Sequence, residues 1–349
     1  MTDAATSSPP KAPHSRKGLY IPLGIFLAVL TAWTAWWFVL ARQVEARVVA
    51  QAETLADSGW AVEHAEMRVT GWPFRARLAI PHARLIAPSG HGVAAPQLIA
   101  EANAYNPTRW VVIAPEGLVL SRGDKGEVAV RGDAIRMSVS GLTQRWPNVA
   151  VEMVKPVFTA HAAADVFPIG GAERIELYMR PHVIEGRNAP GDDVDVLFRL
   201  MDAEGRPDGP VSGLAQNGRL TAQLEAVVTD ASRLRGMDSA GVFSAWTQAG
   251  GHFTRIRGEV EAGDSRATVA SDDLRADEEG RLIGQVTLRA EQPSAAIAGL
   301  AGSATGAVDR PGAARAAAQT PGAGDLVLTF RNGRTFLGPF TLAPAPKLF

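Results

Sequence analysis

From Leu19 to Leu40 the chain runs 22 residues without a charged side chain. A helix rising about 1.5 Å per residue covers about 33 Å over that length, enough to cross a hydrocarbon core of about 30 Å. Lys11, Arg16 and Lys17 precede the run with only Asp3 to oppose them, whereas Arg42, Glu45, Arg47 and Glu53 alternate in sign after it. The positive-inside rule therefore keeps the N-terminus in the cytoplasm and exports everything beyond residue 40. Trp33, Trp36 and Trp37, with Phe38, crowd the exported end as aromatic anchors at headgroup level, and Tyr20 stands at the other end. The prediction is an uncleaved, single-pass signal anchor. The competing reading is a signal peptide cleaved after Val39-Leu40-Ala41; the run exceeds the usual apolar core of about 7–15 residues, and three tryptophans crowd that site.

Composition narrows the classes further. With 46% hydrophobic and 20% charged residues the chain is neither disordered nor fibrous, and 349 residues leave ample length for a core. Lys and Arg number 35 against 36 Asp and Glu, a balance that offers no footing for nucleic acid. The cysteine count is 0, which removes disulfides, zinc–thiolate sites, cysteine nucleophiles and a lipoprotein anchor.

Residues 1–18 read as a disordered cytoplasmic tail, 19–40 as the transmembrane anchor and 41–59 as a stalk helix. In the stalk, Val44, Val48, Gln51/Ala52 and Leu55 recur at helical spacing, and Gly59 sits where a C′ glycine ends a helix. The stalk is either a solvated spacer or a helix packed on the domain. From Trp60 the period switches to two, which predicts a β domain over 60–298. Ile175, Leu177 and Met179 alternate with polar neighbours, as do Val194/Val196/Phe198/Leu200, Leu220/Ala222/Leu224/Ala226/Val228 and Leu282/Gly284/Val286/Leu288. Such one-sided strands belong to an antiparallel sheet with one wet face. The fold class is thus mainly β: a large curved antiparallel sheet, single-layered or folded over itself, with few helices. A two-residue turn at Asn332-Gly333 closes a terminal hairpin within 325–349, with Leu328 facing Leu337 and Phe330 facing Thr335. One amphipathic helix is predicted over Asp238–Ala249, and the Ala/Gly-rich segment 299–324 is predicted to be a mobile linker.

Catalytic chemistry has no evident foothold. The seven histidines show no i, i+2 or i, i+4 pair; His82 and His91 flank a turn and are placed to meet across a hairpin, without a third ligand. No G-x-S-x-G elbow, phosphate loop or dinucleotide fingerprint occurs. Asp192, Asp193 and Asp195, and the pair Asp272-Asp273, are candidates for calcium or acid–base work, but they also suit turns that open strands. No catalytic, cofactor or metal residue is therefore assigned, and the expectation is a protein that is not an enzyme.

At Thr70-Gly71-Trp72-Pro73-Phe74-Arg75 the chain resembles domain-of-unknown-function family 2125. The resemblance continues through Trp246 to Gly251, Asp272-Asp273-Leu274, Glu279-Gly280-Arg281-Leu282, and Asn332-Gly333-Arg334 to Phe340 and Pro344. It implies an inner-membrane-anchored periplasmic envelope protein and supplies no catalytic residue. It also leads one to expect a helical segment before the last hairpin, where the sequence offers Ala and Gly instead. A looser similarity to AsmA-like proteins implies an apolar groove associated with lipid transport. Two functions follow as expectations. In the first, an apolar face carrying Leu177, Val196, Phe198 and Leu224 binds phospholipid or another envelope lipid, unless it is simply a packed core. In the second, a non-catalytic scaffold docks another envelope protein through an exposed sheet edge or through Trp72 and Phe74 of the Gly71, Trp72, Pro73 and Phe74 motif, residues that otherwise form a turn packed on the stalk and stabilise it as buried aromatics.

Overall fold

A computed structural model describes residues 17–183, 191–216, 218–234, 243–320 and 322–348. The apolar run and the stalk form one continuous helix, α1 (Lys17–Asp57), of 41 residues. It is long and apolar enough to cross a membrane. Beyond Gly24 no glycine or proline interrupts it before Gly59, which takes a left-handed φ of 87°. There the Trp60 amide bonds the Leu55 carbonyl and the Gly59 amide bonds that of Ala56, so the glycine ends the helix in a Schellman turn.

All strands join one antiparallel sheet. β1 (Ala61–Glu63) and β2 (Arg68–Thr70) lie along the outer edge of β3 (Arg75–Ile86), which pairs with β4 (His91–Asn103). The next four passes of the chain are each broken into two strands: β5 (Asn106–Ile113) with β6 (Leu118–Arg122), β7 (Glu127–Arg131) with β8 (Ala134–Ser140), β9 (Asn148–Val154) with β10 (Val157–Ala160), and β11 (Ile169–Gly171) with β12 (Arg174–Pro181). β5, β8, β9 and β12 build one leaf of the sheet, and β6, β7, β10 and β11 build a shorter one. Both leaves start from β4 and rejoin at β13 (Val194–Gly205). A simple meander then follows through β14 (Arg219–Val228), β15 (Phe253–Ala262), β16 (Ser265–Ser271) with β17 (Leu274–Ala276), β18 (Leu282–Glu291), β19 (Ala323–Arg331), β20 (Arg334–Leu337) and β21 (Phe340–Pro344).

The breaks line up into a crease across the sheet. It passes through the left-handed His82 opposite Pro96 in β3 and β4, Ala114–Gly117, Gly132, Lys155-Pro156, Ala172 and the register shift after Leu200 in β13. Backbone groups at the corners are not orphaned: the Asp133 amide bonds the Val154 carbonyl, Lys155 bonds Glu173, and Glu173 bonds Met201. The approach is close enough that a Cβ on Gly132 would stand 2.6 Å from the Val154 carbonyl oxygen. Folding at the crease brings Val128, Val130, Phe158 and Ile169 of the short leaf onto Ile135, Leu200, Ala203 and Ala222 in one buried cluster. The sheet is therefore folded over itself along this border, and beyond it runs on as one curved layer.

Four short helices complete the described fold: α2 (Pro210–Leu214), α3 (Ser244–Gln248), α4 (Pro293–Ala301) and α5 (Arg310–Gln319). α3 covers the end of the segment predicted as helix over Asp238–Ala249; the start of that segment lies outside the described residues. The mobile-linker expectation for 299–324 is overturned. α4 and α5 pack together, and Ile297, Ala313, Ala316, Leu337 and Leu342 form a buried cluster against the terminal strands. Asp309 caps α5 by accepting the Gly312 amide at 2.9 Å. Small side chains disguise this helix because they serve close approach: a Cβ on Gly312 would stand 1.9 Å from the Thr341 carbonyl oxygen. The terminal hairpin has Leu328 opposite Leu337 and Phe330 opposite Thr335, the register of a two-residue turn at Asn332-Gly333. Ala313→Leu should overfill the α5 contact and cost about 1–3 kcal/mol, read as a lower thermal midpoint of the full chain; an unchanged midpoint would mean that residue 313 has no packed neighbours.

Candidate functional site

Side chains alternate across a pleated strand, and antiparallel register sets like against like on the next strand. In this sheet that rule produces a row of Val112, Met137, Val151, Leu177, Phe198, Leu224, Gly258, Val269, Leu288 and Leu326, each opposite the next from β5 to β19. At about 4.8 Å per strand the row is about 43 Å long. Leu177, Phe198 and Leu224 are consecutive members, and Val196 lies two residues along β13 on the same face, opposite Met179. The four candidate apolar residues thus come together. None of them is buried, and Leu177 in the middle of the row is 40% exposed.

The borders of this band are packed. On one side the short leaf covers Ile135, Leu200 and Ala222. On the other, Trp246 and Ala231 are buried with Val194 and Val228, and Trp146, Phe243 and Met179 pack around them. α4 and α5 close the far end over Leu326 and Leu328. α1 closes the near end, where Trp37, Leu40 and Ala41 are buried with Ala76 and Ala104 beside Val69 and Trp110. Further along α1, Val48, Ala52 and Leu55 line an apolar cleft of about 280 Å³ with Val62, Ile80, Leu98 and Leu118. The stalk is therefore a packed helix rather than a spacer, and its helical spacing of apolar residues was the sequence signal for this cleft.

The opposite face of the same strands is polar. Arg136, Glu152, Glu176, Arg199 and Gln223 oppose one another across β8 to β14. Glu176 is only 6% exposed and is held between Arg174 at 3.6 Å and Arg199 at 3.5 Å. Burial, and then the neighbouring Glu176 carboxylate, hold the Tyr178 phenol above its ordinary value of 10.0. Beside it a concavity of about 720 Å³ is lined by Tyr178, Arg180, His182, Asp195, Glu225 and Arg255 among others. Asp195 there accepts from Arg180 at 3.0 Å and lies 2.5 Å from His182 Nδ1.

The helix and the sheet are joined at the Gly71–Arg75 turn. Trp33 donates its indole N–H to the Pro73 carbonyl and Trp37 donates to that of Arg75, both at 2.8 Å. Trp72 donates in turn to the Thr34 hydroxyl at 3.3 Å. Gly71 holds a left-handed φ of 100°, and a Cβ there would stand 2.9 Å from the Arg75 carbonyl oxygen. Two of the three anchor tryptophans thus face the domain, and Trp36 alone points outward with Phe38. The expectation of buried aromatics in the turn is corrected: Trp72 is 49% and Phe74 67% exposed, because the partners of the turn are Trp33 and Trp37, not its own rings.

The acidic candidates hold turns. Asp192 accepts from Arg145 at 2.9 Å and from the Ser232 hydroxyl at 2.5 Å, Asp193 from the Asp230 amide at 3.2 Å, and Asp272 from Arg257 at 2.7 Å. His82 and His91 do not meet: His82 sits at the crease between the Pro81–Gln97 and Ala83–Ala95 pairs, and the His91 carbonyl accepts the Ala87 amide at the hairpin end. Among the described residues no three His, Cys, Asp or Glu side chains gather as a metal site would require.

Trp37→Ala should cost about 3–5 kcal/mol in thermal unfolding of the detergent-solubilised chain. Trp72→Ala should change it by no more than about 0.5 kcal/mol, as for an exposed position. Because the Tyr178 pKa is raised on folding, its contribution is complete below pH 10.0 and is lost as pH rises through the folded value. Tyr178→Phe should therefore flatten the alkaline decline in stability, checked by melting midpoints across that range.

No curated protein and no solved structure matches this chain. One family profile does, described as uncharacterized protein conserved in bacteria, domain of unknown function 2125, and it covers residues 37–346. The match begins at Trp37, one of the two indoles that dock the turn, and runs through α5 and the terminal hairpin to the last strand. The chain therefore belongs to domain-of-unknown-function family 2125.

Proposed function

We propose that this protein is a membrane-tethered lipid-handling protein whose apolar band receives the acyl chains of a phospholipid. One observation carries this reading: an apolar row crosses ten strands, its ends and borders are packed, and its middle is left accessible at Leu177. A sheet that needed only a dry core would cover the middle first, since that is where burial per residue gains most. Apolar patches beyond about 300–600 Å² on a soluble surface mark sites where something binds. The occupant is argued from position, because the near end of the band is closed by α1, the one element among the described residues fit to cross a bilayer. An acyl chain reaches through about half of a hydrocarbon core of about 30 Å, well inside the length of the band.

In this reading the protein works as a carrier or sensor without catalysis. The excess of Lys11, Arg16 and Lys17 supports an inner-membrane anchor with a cytoplasmic N-terminus and a periplasmic sheet. Native mass spectrometry of the full chain released from mild detergent should show phospholipid adducts. Leu177→Asp should reduce those adducts and leave the melting midpoint nearly unchanged, because a 40% exposed position lets the carboxylate stay hydrated. A lipid-free wild-type protein, or a variant that keeps its full lipid load, would overturn the proposal.

A further inference from the structure

The Gly71–Arg75 turn is bonded to α1 inside the uncharged run, not beyond it. Its partners are Trp33, Thr34 and Trp37, whereas the run continues to Leu40 and the first charge after it is Arg42. At about 1.5 Å per residue, the turn lies some 5–10 Å on the membrane side of the end of that run. A loop at that depth is tolerated only with its backbone groups satisfied. Here four of its carbonyls are: Pro73 and Arg75 accept the two indoles, Gly71 accepts the Arg75 amide, and Phe74 accepts the Ala104 amide at 2.8 Å. That last bond draws the neighbouring β4–β5 turn to the same level, where Tyr105 is 68% exposed beside a fully buried Ala104.

We infer that, with α1 crossing the bilayer, the tips of these two turns insert into the headgroup layer of the membrane that holds the anchor. The inserted side chains are Trp72, Phe74 and Tyr105, joined by the outward-facing Trp36 and Phe38 of α1. Their large exposed rings match the aromatic belt that marks a membrane–water boundary. Charge takes over one layer further out. Arg75 and Arg77 flank Glu101 at 3.4 and 3.1 Å, and Glu45 accepts the Val69 amide at 3.0 Å, so the first strands stand in the polar headgroup zone. The sheet is thereby fixed edge-down, with the near end of its apolar band at the bilayer surface. This inference is independent of the acyl-chain reading, since the tips would be seated whether or not the band carries lipid.

The cysteine count of 0 makes the test direct, because one introduced thiol is the only one present. Phe74→Cys and Tyr105→Cys, each labelled with a fluorophore, would be compared with Val166→Cys in the exposed loop between β10 and β11. The full chain is reconstituted in phosphatidylcholine vesicles with and without bromine on the acyl chains near the headgroup. Brominated lipid should quench the labels at 74 and 105 and spare 166, while aqueous iodide should quench 166 and spare the other two. Iodide quenching at 74 and 105 without bromine quenching would place the tips in water and overturn the inference. Protection from both quenchers would mean that protein covers them, which overturns it equally.

Discussion

Everything in this fold answers one constraint: a meander of one-sided strands puts its entire apolar side on a single face, and that face must be hidden from water. No single covering layer does so among the described residues. The border strands are hidden by folding the sheet at a crease, the first strands by α1, the last by α4 and α5, and the opposite border by Trp146, Phe243 and Trp246. Ile256, Leu274, Val286 and Phe330 form a further buried cluster towards the last strands, and the face stays accessible at Leu177. The polar face needs no cover, because Glu152 and Glu176 are matched by Arg136, Arg174 and Arg199 in the ladder itself.

Much of this was legible from side-chain alternation alone. A period of two places Leu177, Phe198 and Leu224 on one face whatever the tertiary fold, and a two-residue Asn-Gly turn fixes the Leu328–Leu337 register locally. The crease was not legible, since its Gly132 and Pro156 look like ordinary turn residues until the neighbouring strands break at the same level. α5 was hidden for a related reason. Its Ala313 and Ala316 are buried because they are small, and burial through close approach leaves no amphipathic pattern of large residues to detect.

The tryptophans of α1 show the same limit. Composition marks Trp33, Trp36 and Trp37 as equivalent anchors, but helical geometry separates them: 33 and 37 share a face four residues apart, and 36 turns away. Only the partner strand reveals that this shared face is a docking surface, and that Trp72 and Phe74 are consequently left outside. An indole at a membrane boundary has two uses, an apolar body for lipid and an N–H for a carbonyl, and sequence does not say which will be taken.

β4 and β13 each serve both leaves of the folded border, so the short leaf is tied to the sheet at both ends by backbone ladders. Such a wall is stiff, because swinging it outward would rupture hydrogen bonds on two strands at once. The facing wall is made of side chains from Trp146, Phe243 and Trp246, and the fully buried Trp246 is held by its indole N–H, which donates to the Thr229 carbonyl at 2.6 Å. The two walls are thus held by different means, one by the hydrogen-bond ladders of the sheet and the other by the packing of aromatic side chains.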